Sequence, residues 1–318
     1  MFTPDFYDYY KEITRELESR GASVHSVLEN YADKDPLYRF FWLKNKYTRQ
    51  LYAKRLLKKE IDSLADAPDI VLIIRGEALG DDIMVYLKSL FPKAVYIMYQ
   101  WDSVKNNPNA LEIEKYFDRI LTFDPIDAKD YGWIYRPLFY LGTGNKKYDE
   151  RKYDWTFIST LYYKRAKLFK ILKAISVEKG YRYFDYLYSS KLVFYLHRYI
   201  MKDKRYIDIT EEDVKFTSLD LGGLRAAYLD SKCLVDFASE DQTGLTMRTI
   251  ESIGYGCKLI TNNNTVLESD FYDPANILVY DIDDFSLPEE FLKTEYLPLS
   301  DELYRYYSLA GWVDTVLS

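Results

Sequence analysis

The sequence is poor in the residues that build metal sites and disulfide-stabilised folds. Among 318 residues it has two histidines and two cysteines, which argues against a metal centre built on imidazole and against a disulfide framework. Cys233 and Cys257 each lie within an apolar run, as buried free thiols do in a reducing compartment. We therefore expect two unpaired cysteines and no metal site.

A long hydrophobic segment and a net positive charge are also missing. The apolar runs, such as residues 70–74, have the length of a strand and fall short of the ~20 residues that a membrane-spanning helix needs. The formal net charge of −7 argues against nucleic acid as a partner, because that partner requires a basic surface. No signal peptide is visible, so we expect a cytoplasmic protein.

What the chain does have is a regular alternation of helical and strand patterns, which indicates an α/β fold. The apolar run at 70–74 is typical of a central parallel strand. The other predicted strands are 23–28, 94–98, 119–123, 155–158, 181–186, 214–216, 232–237, 258–261 and 277–280. A polar segment at 142–151, rich in Gly, Lys and Asp, separates a first lobe, 1–141, from a second lobe, 152–300.

The beginning of the chain does not fit a simple Rossmann-like lobe. Thr3-Pro4 is a good N-cap and first-turn pair and predicts a helix that ends at Gly21. Such a lobe normally begins with a strand, so the first strand is predicted to be absent or the lobe to be trimmed. Two facing lobes would form a ligand cleft at the carboxyl ends of both sheets.

The most informative stretch is 240–261, which reads as a strand end, a loop with glycine, a helix and a second strand. Backbone N–H groups and the dipole at the start of that helix favour a diphosphate, and Arg248 adds a positive charge one turn later. Glu251, on the same helix face, is suited to accept hydrogen bonds from ribose hydroxyls. Alternatively, Arg248 and Glu251 form an exposed pair in a purely structural βαβ unit.

The segment 244–251, with the pattern Gly-Leu-Thr-x-Arg-x-x-Glu, resembles the donor-site motif of GT-B-fold glycosyltransferases. The likeness is to the branch with CgeB-like spore-coat and cell-surface-polysaccharide enzymes. It extends to 154–160 with Arg165, to Trp101-Asp102, and to the last helix, 301–318, which in this family crosses back to the first lobe. The resemblance implies that the donor is bound by Ser159, Thr160, Arg165, Gly244, Leu245, Thr246, Arg248 and Glu251.

Two positions depart from the family pattern. Thr243 stands where many retaining enzymes have a second glutamate, eight residues before Glu251, and Ser159 replaces a turn glycine at the start of the donor lobe. The first departure leaves retention and inversion equally open. The second weakens the expected phosphate contact at Ser159 and Thr160.

The resemblance implies a metal-independent, hexosyltransferase-like enzyme. Its co-substrate would be a nucleotide-diphosphate sugar, with no other cofactor, and its acceptor a hydroxyl of a glycan or of a lipid-linked molecule. Two alternatives stay open, a nucleotide-sugar epimerase on the same fold and a non-catalytic protein that binds a nucleotide sugar or a partner transferase.

Candidates for catalysis in the first lobe follow its strands. Glu77 comes after the strand at 70–74 and Asp102 after the strand at 94–98, where an α/β fold places its working residues. Glu77 or Asp81 would be a general base toward the acceptor hydroxyl, and Asp102 beside Trp101 would hold a sugar. With Arg248, Glu77 and Asp102 are the predicted catalytic residues. The alternative is a loop of solvated charges and turn residues.

A basic helix is predicted at 38–61, within an acidic protein. Its aromatic side chains alternate with the cations Arg39, Lys44, Lys46, Arg49, Lys54, Arg55, Lys58 and Lys59. A basic amphipathic helix can lie on an anionic membrane, which would bring the enzyme to the inner face of the membrane. Alternatively, the helix presents a solvated charged face and buries its aromatic side.

Overall fold

The computed structural model describes residues 1–5, 8–29, 46–64, 66–144, 146–161, 163–203, 209–239 and 242–318. The chain divides into two units: unit 1 is Met1–Leu138 with Leu309–Ser318, and unit 2 is Phe139–Ser308. Among the described residues, each unit contains one six-stranded sheet.

Unit 1 alternates strands and helices along its first 138 residues. Its strands are β1 (Phe2–Thr3), β2 (Val27–Leu28), β3 (Ile70–Ile74), β4 (Val95–Gln100), β5 (Arg119–Thr122) and β6 (Ile134–Tyr135). Its helices there are α1 (Tyr9–Ser19), α2 (Lys46–Asp62), α3 (Asp81–Leu90), α4 (Asn109–Ile113) and α5 (Pro125–Tyr131). The strands lie in the order β2-β1-β3-β4-β5-β6 and pair in parallel throughout.

Unit 2 has the same layering. Its strands are β7 (Trp155–Thr160), β8 (Tyr183–Tyr188), β9 (Val214–Lys215), β10 (Cys233–Val235), β11 (Lys258–Thr261) and β12 (Ile277–Val279). Its helices are α6 (Tyr163–Lys179), α7 (Lys191–Tyr195), α8 (Leu221–Leu229), α9 (Met247–Tyr255), α10 (Glu289–Lys293) and α11 (Asp301–Tyr306). The parallel strands lie in the order β9-β8-β7-β10-β11-β12, a doubly wound arrangement.

Short and continuous apolar sequences explain the two sheets. Four of the five residues of β3 are buried, and β11 is buried throughout, as expected of parallel strands covered by helices on both faces. Cys233 and Cys257 are buried free cysteines, as the sequence predicted. The predicted alternation of strands and helices is thereby confirmed in both halves of the chain.

The prediction for the start of the chain is wrong. Phe2 and Thr3 form strand β1, which pairs with β2 on one side and β3 on the other, so unit 1 does begin with a strand. Thr3 is fully buried in that strand and does not cap a helix; α1 begins at Tyr9. A two-residue strand is too short to produce a recognisable period-2 pattern.

The last predicted helix is divided in two. α11 ends at Tyr306, and a separate helix, α12 (Leu309–Leu317), follows Ser308. α12 belongs to unit 1, where the Trp312 ring packs edge-on against Tyr99 at 4.8 Å and Asp314 pairs with Arg20, the residue after α1. The expected return of the chain to its first lobe is therefore confirmed for α12.

Within the described ranges, no helix is both long enough and apolar enough to cross a membrane. The predicted basic helix at 38–61 is described only from residue 46 onward. In the part whose side chains are described, Leu57 and Ile61 are buried, Lys54 pairs with Asp82 of α3 at 2.8 Å, and the Lys58 ammonium lies 5.0 Å from the Tyr86 ring. Two of its cations thus contact α3, and membrane contact through this helix stays a prediction.

Candidate functional site

The order of strands in unit 2 identifies one point of the sheet edge as the candidate site. From the central strand β7 the chain proceeds outward through β8 and β9, and then returns to the other side of β7 with β10. In doubly wound sheets, ligands bind outside the carboxyl ends of the strands at such a reversal. Ser159 and Thr160 end β7, while Asp236 and Phe237 follow β10.

Arg248, in the first turn of α9, connects the ends of these two strands. Its Nη1 lies 3.1 Å from Oδ1 of Asp236, and its Nη2 donates to the carbonyl oxygen of Ile158 in β7. The Arg248 side chain is 18% exposed and that of Asp236 is 3% exposed. The interpretation of Arg248 as half of an exposed surface pair is therefore wrong, because its partner is a buried carboxylate.

Asp236 is a site residue that the sequence interpretation missed. Its second carboxylate oxygen accepts a hydrogen bond from the Thr261 hydroxyl at 3.1 Å, so the carboxylate joins the ends of β10 and β11 to Arg248. A polar residue directly after an apolar strand was the available signal. The cost of burying this carboxylate is offset by the arginine.

The loop before α9 is held by side-chain hydrogen bonds. Thr246 is the N-cap, and its hydroxyl accepts from the N–H of Thr249 at 3.1 Å. The carbonyl oxygen of Gly244 accepts from the Asn263 side chain at 3.0 Å. Leu245 is buried. Two of the residues predicted to bind the sugar donor therefore have structural roles in this loop: Leu245 is a core residue and Thr246 is a helix cap.

The other residues predicted to bind the donor, near the end of β7, lie at the same edge of the sheet of unit 2. Ser159 is half-buried and Thr160 is exposed. Arg165 lies in the first turn of α6, and its Nη2 is 3.4 Å from the carbonyl oxygen of Phe237. The structure therefore brings Ser159, Arg165 and Arg248 to the reversal point between β7 and β10.

Glu251 lies deeper than the sequence suggested. It is 3% exposed, and its Oε1 accepts a hydrogen bond from the N–H of Leu141 at 3.2 Å. Segment 140–144 packs so closely on α9 that a Cβ on Gly254 would lie 2.3 Å from the carbonyl oxygen of Gly142. The predicted ribose contact stays a prediction, since a nucleotide would have to reach a carboxylate enclosed in unit 2.

In unit 1 the predicted catalytic acids meet at one arginine. Arg75 follows β3 in the left-handed region (φ 74), and it pairs with Glu77 at 2.6 Å and with Asp102 at 2.9 Å. Burial raises the pKa of Asp102, Arg75 opposes that rise, and Glu77 adds to it. A strained non-glycine residue at the end of a strand is typical of functional loops.

The loop after β3 binds a second carboxylate through its backbone N–H groups, and the sequence interpretation missed this half-buried residue. Glu29, directly after β2, accepts hydrogen bonds from the N–H groups of Gly76 at 2.8 Å and Glu77 at 3.1 Å. Burial raises the pKa of Glu29 to about 7, although these N–H groups and Arg75 act in the opposite direction. The signal in the sequence was its position after a predicted strand.

Glu29 spans the point at which the strand order of unit 1 reverses. β2 and β3 flank β1, so the hydrogen bonds that Glu29 accepts from the loop after β3 cross the end of β1. The other side of that loop is fixed by amides: Gln100 and Asn107 each donate to the carbonyl oxygen of Arg75 at 2.7 Å. Glu77 is exposed, whereas Glu29 is held by two backbone N–H groups.

The part of the chain that the structure describes contains no group of three or more His, Cys, Asp or Glu residues placed to hold a metal ion. Asp124 is the N-cap of α5 and accepts hydrogen bonds from the N–H groups of Ile126 and Asp127.

Comparison with known proteins finds no matching family model and no curated protein of similar sequence. Among solved structures, a Listeria monocytogenes protein described as a "putative UDP-N-acetylglucosamine 2-epimerase" is 10% identical at a TM-score of 0.51, over 100% of this chain and 94% of that one. Sucrose-phosphate synthase from Thermosynechococcus elongatus is 11% identical at a TM-score of 0.49, over 98% of this chain and 83% of that one. The lipopolysaccharide outer core galactosyltransferase WaaB is 14% identical at a TM-score of 0.47, over 99% of this chain and 94% of that one. The Listeria protein confirms the predicted α/β fold with two Rossmann-like lobes.

Proposed function

We propose that the protein is a glycosyltransferase whose unit 2 binds a nucleotide-diphosphate sugar. The observation that carries this proposal is the set of groups at the reversal point between β7 and β10. Helices α6 and α9 both begin at this edge, and Arg165 and Arg248 lie in their first turns. Helix N-termini and guanidinium groups together favour a diphosphate. The sequence motif at 244–251 supports the same assignment.

Arg248 has a positioning role in this proposal. Its guanidinium is engaged by Asp236 and by the Ile158 carbonyl, so it fixes the two strand ends between which the diphosphate lies. Arg165, at the start of α6, is the cation that we place nearest to the leaving phosphate. Such preorganised charge stabilises the negative charge that develops as the glycosidic bond breaks.

Unit 1 supplies the acceptor side. We assign the general base to Glu29, because a carboxyl group with a pKa of about 7 is matched to proton transfer near neutral pH. Glu29 accepts the proton of the acceptor hydroxyl, whose oxygen bonds to the anomeric carbon while the bond from that carbon to the diphosphate breaks. Glu77 and Asp102, both paired with Arg75, orient the loop. The chemistry proposed uses no metal ion and no cofactor beyond the donor.

The test is turnover of labelled nucleotide sugars carrying uridine, guanosine, cytidine or thymidine. A transferase releases nucleotide in proportion to added glycan or lipid-linked acceptor and moves the label to that acceptor. Label that stays on the nucleotide with an inverted sugar carbon would instead identify an epimerase. Nucleotide binding without either reaction would identify a non-catalytic binding protein.

The Glu251→Gln variant tests the predicted ribose contact. Gln keeps the shape and the acceptor for the Leu141 N–H but removes the charge, and a hydrogen bond to a charged group is worth about 1.5–3 kcal/mol. We expect nucleotide affinity to fall roughly 10- to 100-fold by calorimetry, with a folded protein by circular dichroism.

Ser252→Ala is the matched control for Glu251. Ser252 is the next residue of α9 and is buried, and its hydroxyl donates to the Thr249 carbonyl of its own helix at 2.7 Å. Its nucleotide affinity should equal that of the wild type. If Glu251→Gln binds nucleotide with wild-type affinity and only its melting temperature falls, the role of Glu251 is to hold segment 140–144 in place and not to bind ribose.

A further inference from the structure

An amphipathic helical segment of unit 2, residues 191–201, has its apolar side facing outward. It consists of α7 and one π-helical turn, Leu196–Ile200. Phe194 alone is fully buried. The exposed apolar side chains of the segment are Leu192 (79%), Val193 (41%), Tyr195 (36%), Leu196 (38%), Tyr199 (57%), Ile200 (75%) and Met201 (59%). Contiguous apolar surface of this kind marks an interaction site.

The spacing of these side chains forms one stripe. Leu192, Leu196 and Tyr199 are four and three residues apart, which places them on one side of a helix. The phenol rings of Tyr195 and Tyr199 stack at 5.8 Å, and Tyr195 also stacks on Phe216 at 6.1 Å. The stripe is therefore an ordered apolar ridge supported by the core.

The charged side chains within the segment are all cations. Two carboxylates contact it from outside: Glu211 accepts from the Tyr195 hydroxyl at 2.9 Å, and Asp203 lies 3.4 Å from the His197 ring. Residues 191–202 contain Lys191, Arg198 and Lys202 and no acidic residue, in a chain of net charge −7. Lys191 and Lys202 are exposed. Apolar and tyrosine side chains flanked by lysines are the combination with which a helix lies in the headgroup region of an anionic bilayer.

We propose that segment 191–201 is the surface through which the protein docks on anionic membranes. The apolar ridge enters the boundary between headgroups and acyl chains, and Lys191 and Lys202 contact lipid phosphates. The Tyr199 hydroxyl stays at headgroup level, as does the Tyr195 hydroxyl, which donates to Glu211. α7 follows the carboxyl end of β8, the strand beside β7, so docking brings the candidate site of unit 2 to the membrane side. The proposal does not depend on the reaction catalysed.

Cosedimentation with vesicles of equal parts phosphatidylglycerol and phosphatidylcholine tests the proposal on the full chain. The wild type should bind these vesicles and not pure phosphatidylcholine. The triple variant Leu192→Ser, Ile200→Ser and Met201→Ser should lose at least about 1000-fold in partitioning, since each buried side chain contributes more than about tenfold. Lys191→Gln with Lys202→Gln should lose about 25-fold, because each lysine contributes about fivefold.

Val177→Ser is the matched control. Val177 is 83% exposed but lies near the end of α6, toward the opposite edge of the sheet, so its loss should leave vesicle binding unchanged. The substituted side chains are exposed, so all variants should keep the wild-type circular dichroism spectrum. Wild-type protein that stays in the supernatant, or triple-variant protein that sediments with vesicles as the wild type does, overturns the proposal. A wild-type dimer that the triple variant converts to a monomer, without vesicle binding, would show that the ridge binds a second copy.

Discussion

Glu29→Gln is expected to lower kcat by about 100- to 1000-fold, the usual effect of removing a general base, with little change in donor affinity. The amide keeps the size of the side chain but cannot accept the acceptor proton. In the wild type, kcat should rise with pH up to about 7 and then level off, because the active form of Glu29 is the carboxylate and its pKa is about 7. Steady-state kinetics across this pH range is the measurement.

Three further variants sharpen the assignment of the base. Glu77→Gln and Asp102→Asn should each lower kcat less than tenfold, since we give these acids an orienting role. Glu16→Gln removes a carboxylate of α1 that pairs with Arg20, the residue after that helix, and should keep wild-type kcat. A larger loss from Asp102→Asn than from Glu29→Gln would transfer the role of base to Asp102.

The same residue should make stability depend on pH. The pKa of Glu29 rises from 4.5 in the unfolded chain to about 7 in the folded protein, so the folded state binds the proton more tightly. The protonated Glu29 carboxyl stabilises the folded protein fully below pH 4.5. This stabilisation is lost as the pH rises through about 7, which lowers the free energy of unfolding by up to about 3 kcal/mol. Glu29→Gln should therefore gain in melting temperature over the wild type between about pH 5 and pH 8. An identical pH dependence in both proteins would show that the Glu29 carboxylate is well solvated.

Arg248→Ala should destabilise the protein by about 3–5 kcal/mol, because it leaves the buried Asp236 carboxylate without its cation. In a unit of this size, that corresponds to a fall in melting temperature of roughly 10 °C or more by calorimetry. Arg248→Lys keeps a charge but not the planar fork that reaches both Asp236 and Ile158. It should therefore keep much of the stability and still lower kcat, since the two strand ends at the diphosphate site lose their common anchor.

A double-mutant cycle separates the structural part from the functional part. Asp236→Asn combined with Arg248→Met should cost less stability than the sum of the two single variants, because no charge stays buried alone. The double variant should therefore be more stable than Arg248→Met alone, but its kcat should stay below that of the wild type. Wild-type kcat in Arg248→Lys would show that Arg248 contributes nothing to turnover.

The strands that could be predicted from sequence are those with long apolar runs. β3, β7 and β11 lie close to their predicted positions, since burial on both faces imposes a continuous pattern. β1 has two residues, and its place in the sheet depends on β2 and β3 and not on its own sequence. The break between α11 and α12 could not be predicted either. The two helices carry one continuous amphipathic pattern, in which Tyr307 and Trp312 take part.

The site was harder to predict, because its contacts join residues far apart in the chain. Arg248 was found from its motif, yet its partner Asp236 is twelve residues earlier and contributes only through tertiary packing. Glu29 meets Gly76 across 47 residues, and no local pattern encodes that pairing. The depth of Glu251 depends on the glycines that let segment 140–144 lie against α9.

The path of the chain also sets an order of synthesis. Unit 2 is one continuous stretch, whereas unit 1 is completed only by its last ten residues, 309–318. During translation the sheet of unit 1 emerges first, but the Trp312 contact with Tyr99 cannot form until the final helix has left the ribosome. The main part of unit 1 is thus made before unit 2, but its core is completed after it.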